Sequence, residues 1–249
     1  MSANLYLPPK AAYQTSYTIA TPGSYTWVAP NALNTGASYA INLSMWGGGG
    51  AGGNSGSANG QPAFGGGGGG GAWCNTQCTV VPGVSYTLVV GASAGASYIQ
   101  DSLGQIIKAN QGGSGTVITG GAGGTVTTNQ PSKVTGTNSI NGGAGGNGSW
   151  WTGSAIVVAT AGVSVGAAYG QPGGLAGTGT NGSSGPGGAS SNANGANTIY
   201  SAGGAGGGGG AGYSNGTSNS VTTGGAGGVG RIQFSFTVAN GGSAGSAPV

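Results

Sequence analysis

The chain has 249 residues, 64 of them glycine, 10 proline, and only five ionisable side chains apart from cysteine and tyrosine: Lys10, Lys108, Lys133, Arg231 and Asp101. With one acid and no histidine, it lacks the paired carboxylates of a glycosidase and the proton carrier of a Ser-His-Asp or Cys-His site. No catalytic residue, cofactor or metal is therefore expected. The four cations are scattered, so the formal charge of +3 forms no patch for nucleic acid.

Taken in chain order, residues 1–16 read as an N-terminal arm without the basic start and long apolar core of a signal peptide. A stretch of about 18 apolar residues is also missing, so no membrane span is expected. The first structured element is a β-hairpin, with arms at Tyr17–Ala20 and Tyr25–Pro30 around a Thr21–Ser24 turn. Tyr39 to Trp46 alternates apolar and polar residues and runs straight into a glycine block. Cys78–Val81 and Val84–Val90, separated by Pro82-Gly83, predict a second hairpin. Arg231–Val238 is a closing strand, and Ala239–Val249 reads as a flexible end.

Between these strands the glycines are phased. Gly-Gly-Ala-Gly-Gly occurs five times, beginning at Gly49, Gly120, Gly142, Gly203 and Gly224, and a run from Gly65 to Gly71 is glycine throughout. A three-residue period is that of an extended left-handed polyproline-type helix, which has no internal hydrogen bonds and needs neighbours to satisfy its backbone. Two glycines per triplet leave room for several neighbours, and the broken Gly-X-Y register excludes collagen. The expected fold is thus mainly β with almost no α-helix. An antiparallel sheet or sandwich frames a packed bundle of polyglycine II helices over residues 17–238.

Cys74 and Cys78 cannot complete a zinc site without further ligands, and they are either two small, partly buried thiols or a local disulfide. The adjacent Trp150-Trp151 follows a glycine block and is a candidate for receptor contact or for packing against Ile156–Val158. Tyr169, Tyr200 and Tyr213 lie in or beside glycine-rich loops and are secondary contact candidates. Trp27, Trp46 and Trp73 fall at strand–glycine junctions and are expected to cap the core, while Asp101 and Lys108 are expected to be solvated.

Pro22-Gly23-Ser24-Tyr25-Thr26-Trp27, Trp46 entering its glycine block, Val81-Pro82-Gly83 with Tyr86, Val90-Gly91 and the terminal Gly-Gly-Ala-Gly-Gly-Val-Gly-Arg-Ile come in a particular order. That order resembles the glycine-rich domain of tailed-phage tail and tail-fibre proteins. The glycine blocks resemble the polyglycine-helix sandwich of T-even-type tail-fibre adhesins. The resemblance implies a non-enzymatic virion protein assembled in the host cytoplasm and partnered by other virion proteins or by its own copies. It would meet a host surface glycan or outer-membrane protein through loops between rods. The adhesins have a separate attachment domain, whereas only a short arm precedes the first strand here. The alternatives from the residues themselves are a self-assembling filament or coat subunit, favoured by the nearly uncharged surface, and an ice-binding protein.

Overall fold

The computed structural model describes residues 11–54, 56–58, 61–63, 65–148, 150–151, 156–157 and 226–249. Two five-stranded antiparallel sheets carry the core. The first sheet has the order β1 (Tyr13–Ile19), β14 (Arg231–Val238), β3 (Tyr39–Trp46), β6 (Trp73–Val80), β11 (Val134–Ile140). The second runs β10 (Val126–Thr128), β9 (Gly104–Ala109), β8 (Ser97–Asp101), β7 (Ser85–Val90), β2 (Gly23–Val28). A smaller sheet has the order β13 (Ile156–Val157), β12 (Trp150–Trp151), β5 (Gln61–Ala63), β4 (Gly56–Ala58).

Alternation in the sequence becomes alternation in burial, because successive strand residues face opposite sides. In β3, Tyr39, Ile41, Leu43 and Met45 are buried while Ala40 and Asn42 face solvent. Ile232, Phe234, Phe236 and Val238 of β14 and Tyr86, Leu88 and Val90 of β7 complete the inner faces. Trp27 of β2 bridges the layers, its ring 4.9 Å from Phe234 and 5.9 Å from Phe236. Trp27, Trp46 and Trp73 are all buried, as expected of core caps.

Neither predicted hairpin forms. β1 pairs with β14 and β2 with β7, so the turn at Pro22-Gly23 carries the chain from one sheet to the other. Pro82-Gly83 does the same between β6, which pairs with β3 and β11, and β7, which pairs with β2 and β8. The apolar face of each arm fits this arrangement as well as a hairpin. Ile19 and Trp27, or Val80 and Tyr86, enter one core from opposite layers. At the second arch Gly83 takes φ +77°, and the Tyr86 hydroxyl accepts a hydrogen bond from the Val81 N–H at 2.9 Å.

The 239–249 tail, expected to be a flexible end, is hydrogen-bonded to the body at several points. Ala239 N–H donates to Ala32 O, Ser243 N–H to Asn31 O, and the Tyr17 hydroxyl to Ala244 O. Val249 exchanges two backbone hydrogen bonds with Thr26, at 2.7 and 3.0 Å, and so lies against the outer edge of β2.

Candidate functional site

The glycine-rich segments continue the strands beyond the sandwich. Segment I (47–53) follows β3, segment II (65–72) leads into β6, and segment III (110–116) follows β9. Segment IV (119–125) leads into β10, segment V (142–148) follows β11, and segment VI (226–230) leads into β14. Their backbones bond to one another at every third residue. Gly47, Gly50 and Gly53 donate to Ala72, Gly69 and Gly66, and Gly66, Gly69 and Ala72 donate to Thr116, Gly113 and Asn110. Gly67 and Gly70 donate to Gly146 and Gly143, while Gly121 and Gly124 donate to Gly67 and Gly70. The distances in these ladders are 2.8–3.0 Å.

Falling partner numbers make I/II, II/III and II/V antiparallel. Rising ones, Gly112 to Gly48 and Gly115 to Ala51, make I/III parallel, as are II and IV. Among the described residues, segment II therefore touches four neighbouring segments and lies at their centre. This gives the uninterrupted run from Gly65 to Gly71 its physical reason. All seven of these glycines are buried, and a Cβ on Gly66, Gly68, Gly69 or Gly71 would fall 2.0–2.2 Å from a neighbouring backbone oxygen. In the surrounding segments alanine occupies positions with an outer side: Ala122 and Ala226 are exposed, and Ala51 and Ala144 half-buried.

The bundle ends are distinct. Near the sheets the Trp46 and Trp73 rings pack 6.5 Å apart, with the Arg231 guanidinium 5.7 Å above Trp46. A cavity of about 510 Å³ beside them is lined by Ser44, Asn75, Asn138, Ser139 and Ile140 as well as the two tryptophans. At the far end, segment I meets segment II through Gly53 and Gly66, segments III and IV turn between Thr116 and Thr119, and Gly148 donates to Ile118 O. The small sheet joins here: Trp150 is in register with Ala63 and with Val157, and Trp151 with Ile156. The structure thus sets the backbone of Trp150-Trp151 beside the chain that connects segments I and II.

Tyr169, Tyr200, Tyr213, Gly203 and Gly224 lie outside the described residues, whereas Gly49, Gly65, Gly120 and Gly142 all fall within the bundle segments. Cys74 and Cys78 are free, buried thiols on one strand. Four residues of strand span about 13 Å, roughly twice the Cα separation of a disulfide, so the local bridge does not form. Burial pushes both thiols up to about 12.

Asp101 departs from its expected solvated position. Its carboxylate pairs with Lys133 and accepts hydrogen bonds from Gln130 Nε2 at 3.2 Å and the Leu103 N–H at 2.9 Å. Burial raises its pKa, but the bonds from Lys133, Gln130 and Leu103, together with the Lys133 charge, outweigh that and hold it below the ordinary value. This clasp joins the β8–β9 turn to the 3-10 turn Pro131–Lys133.

Sequence reasoning missed segment III. Its Gly112-Gly113-Ser114-Gly115 carries a single Gly-Gly pair and not the pentamer, although the tight contacts at Gly112 and Gly115 show the same requirement for a bare backbone. No helix among the described residues is long and apolar enough to cross a membrane. A search of curated proteins finds no match. The family model described as a glycine-rich domain matches residues 19–247. Every strand from β2 to β14 and all six glycine segments fall inside that match, and the chain belongs to the glycine-rich domain family.

Proposed function

We propose that this is a non-enzymatic structural and adhesion protein of a virus particle, a phage tail or tail-fibre component. In this reading its bundle segments are polyglycine II helices, and they hold contact loops at a fixed distance from the sheet frame. The observation that carries it is the shared far end of the bundle. There the connections between segments I and II and between III and IV come together with Trp150-Trp151. A bundle tied by backbone bonds positions loops firmly while leaving their sequences unconstrained, which suits recognition of varied surfaces. The three-residue ladder period supports the polyglycine II assignment. The partner in this reading is a host surface glycan or outer-membrane protein.

The test is binding of the labelled full chain to a panel of bacterial cells, alongside Trp150→Ala and Trp151→Ala. The expected result is binding to some cells, reduced about tenfold or more by at least one substitution, with unchanged thermal melting. Binding that survives both substitutions, or no binding across the panel, would sink the reading.

A further inference from the structure

The two large sheets have four outer edges, and three of them carry a stop. β2 is bonded to Val249, β10 is three residues long, and β11 is broken by a bulge between Thr135 and Asn138 with Gly136 at φ +63°. Such devices keep an open row of backbone donors and acceptors from capturing another chain. β1 has none of them. Its register with β14 is unbroken over all seven residues, Tyr-Gln-Thr-Ser-Tyr-Thr-Ile, with no charge, proline or glycine. Among the described residues, no strand pairs with the outer side of its Gln14–Thr18 stretch.

We propose that this edge pairs with the same edge of a second copy of the chain, antiparallel about a two-fold axis at Ser16. The strand is self-complementary in that register. Ser16 faces its own copy, Gln14 faces Thr18, and Thr15 faces Tyr17. Gln14, Ser16 and Thr18 are exposed, while Thr15 and Tyr17 are half-buried and lean toward the core side. Pairing about Ser16 therefore matches solvent-facing residues with solvent-facing ones and core-facing with core-facing, whereas a one-residue slip would invert one strand. Aromatic against β-branched and hydroxyl against amide are favourable cross-strand pairs. With no charge on the strand, nothing on it repels the copy. The product is a closed dimer, because an isologous contact consumes both edges. It joins two five-stranded sheets into one of ten. The pairing is independent of the host-contact reading.

The test is the mass of the full-length, tag-free chain by light scattering after size exclusion, from about 1 to 200 µM, where mass action populates a moderate-affinity dimer. The expected result is a concentration-dependent rise from 23.0 kDa to twice that mass. Ser16→Lys sets two ammonium groups across the axis and is expected to hold the chain at the monomer mass. Asn42→Lys, an exposed site on an interior strand of the same sheet, is expected to leave the dimer intact. As a geometric check, Ser16→Cys places two thiols on residues whose Cα atoms are about 4.5–5.5 Å apart, and mild oxidation is expected to yield a covalent dimer. A native chain that stays monomeric at the highest concentration would overturn the proposal. So would a dimer unaffected by Ser16→Lys, or one dissolved by Asn42→Lys alone.

Discussion

Gly69 at the centre of segment II offers the sharpest test of how the bundle is held. Its N–H donates to Gly113 O and its carbonyl accepts from Gly50 N–H, both at 2.8 Å. A Cβ there would lie 2.0 Å from Ala122 O and 2.5 Å from Ala122 C, atoms of a backbone that cannot swing aside as a side chain does. For Gly69→Ala to be accommodated, segment IV must retreat by more than an ångström. That strains or breaks the bonds from Gly121 to Gly67 and from Gly124 to Gly70, both of whose acceptors are buried. At about 1–3 kcal/mol for each buried group left unpaired, the loss is about 2–6 kcal/mol. Reduced freedom of the unfolded chain offsets at most about 1 kcal/mol. A net loss of about 1–5 kcal/mol is a substantial share of a typical domain's stability.

The assay is urea denaturation of the full chain, with amide exchange at Gly65–Gly71 as the local readout. The comparison variant is Ala122→Gly, whose exposed methyl is removed without disturbing any ladder; it is expected to cost about 0.4–1 kcal/mol. If Gly69→Ala costs no more than Ala122→Gly and leaves exchange unchanged, the backbones do not pack as closely as argued.

Other outcomes follow from the same structure. Asp101→Asn is expected to lower stability by about 1–3 kcal/mol by leaving Lys133 without its carboxylate, which a denaturant midpoint would report. Because folding lowers the Asp101 pKa, this contribution is complete above the unfolded value of about 3.9 and is lost as pH falls through the folded value. An acid titration should therefore separate native from Asp101→Asn only above that range. Cys74 and Cys78, pushed up to about 12 by burial, should resist a thiol reagent at pH near 8 in the native chain and react fully in denaturant; rapid native labelling would contradict their placement. Gly242→Ala sets a Cβ 2.0 Å from Ala32 O and is expected to loosen the tail, seen as faster amide exchange at Thr26.

The mainly β frame was legible because β3, β7 and β14 alternate cleanly and are bounded by glycine at Gly47, Gly91 and Gly230. The partners of those strands were not. A short turn such as Pro82-Gly83 closes a hairpin or an arch with the same residues, and only the second layer, supplying Trp27 and Tyr86 opposite Phe234, decides between them. The bundle's glycine content was legible, but the central place of segment II follows from four neighbours drawn from distant parts of the chain. Segment III was hidden because a segment with an open side tolerates Gln111, Ser114 and Thr116. Trp150-Trp151 stood out as adjacent aromatics, whereas its register with Ala63 depends on two loops meeting at one end of the bundle.

The central run also sets an order on folding. Gly65–Gly71 lies among backbones from residues 47–53, 110–116, 119–125 and 142–148, so its ladders cannot close until more than half of the chain is available. Contacts so distant in sequence carry a large loop-closure cost before any of them is rewarded. The sheets, with an apolar core to drive collapse, should form first, and the bundle should zip up afterwards from the strand ends that hold its segments at the right spacing. A refolding experiment should then show sheet formation and tryptophan burial at Trp27 ahead of amide protection at Gly65–Gly71.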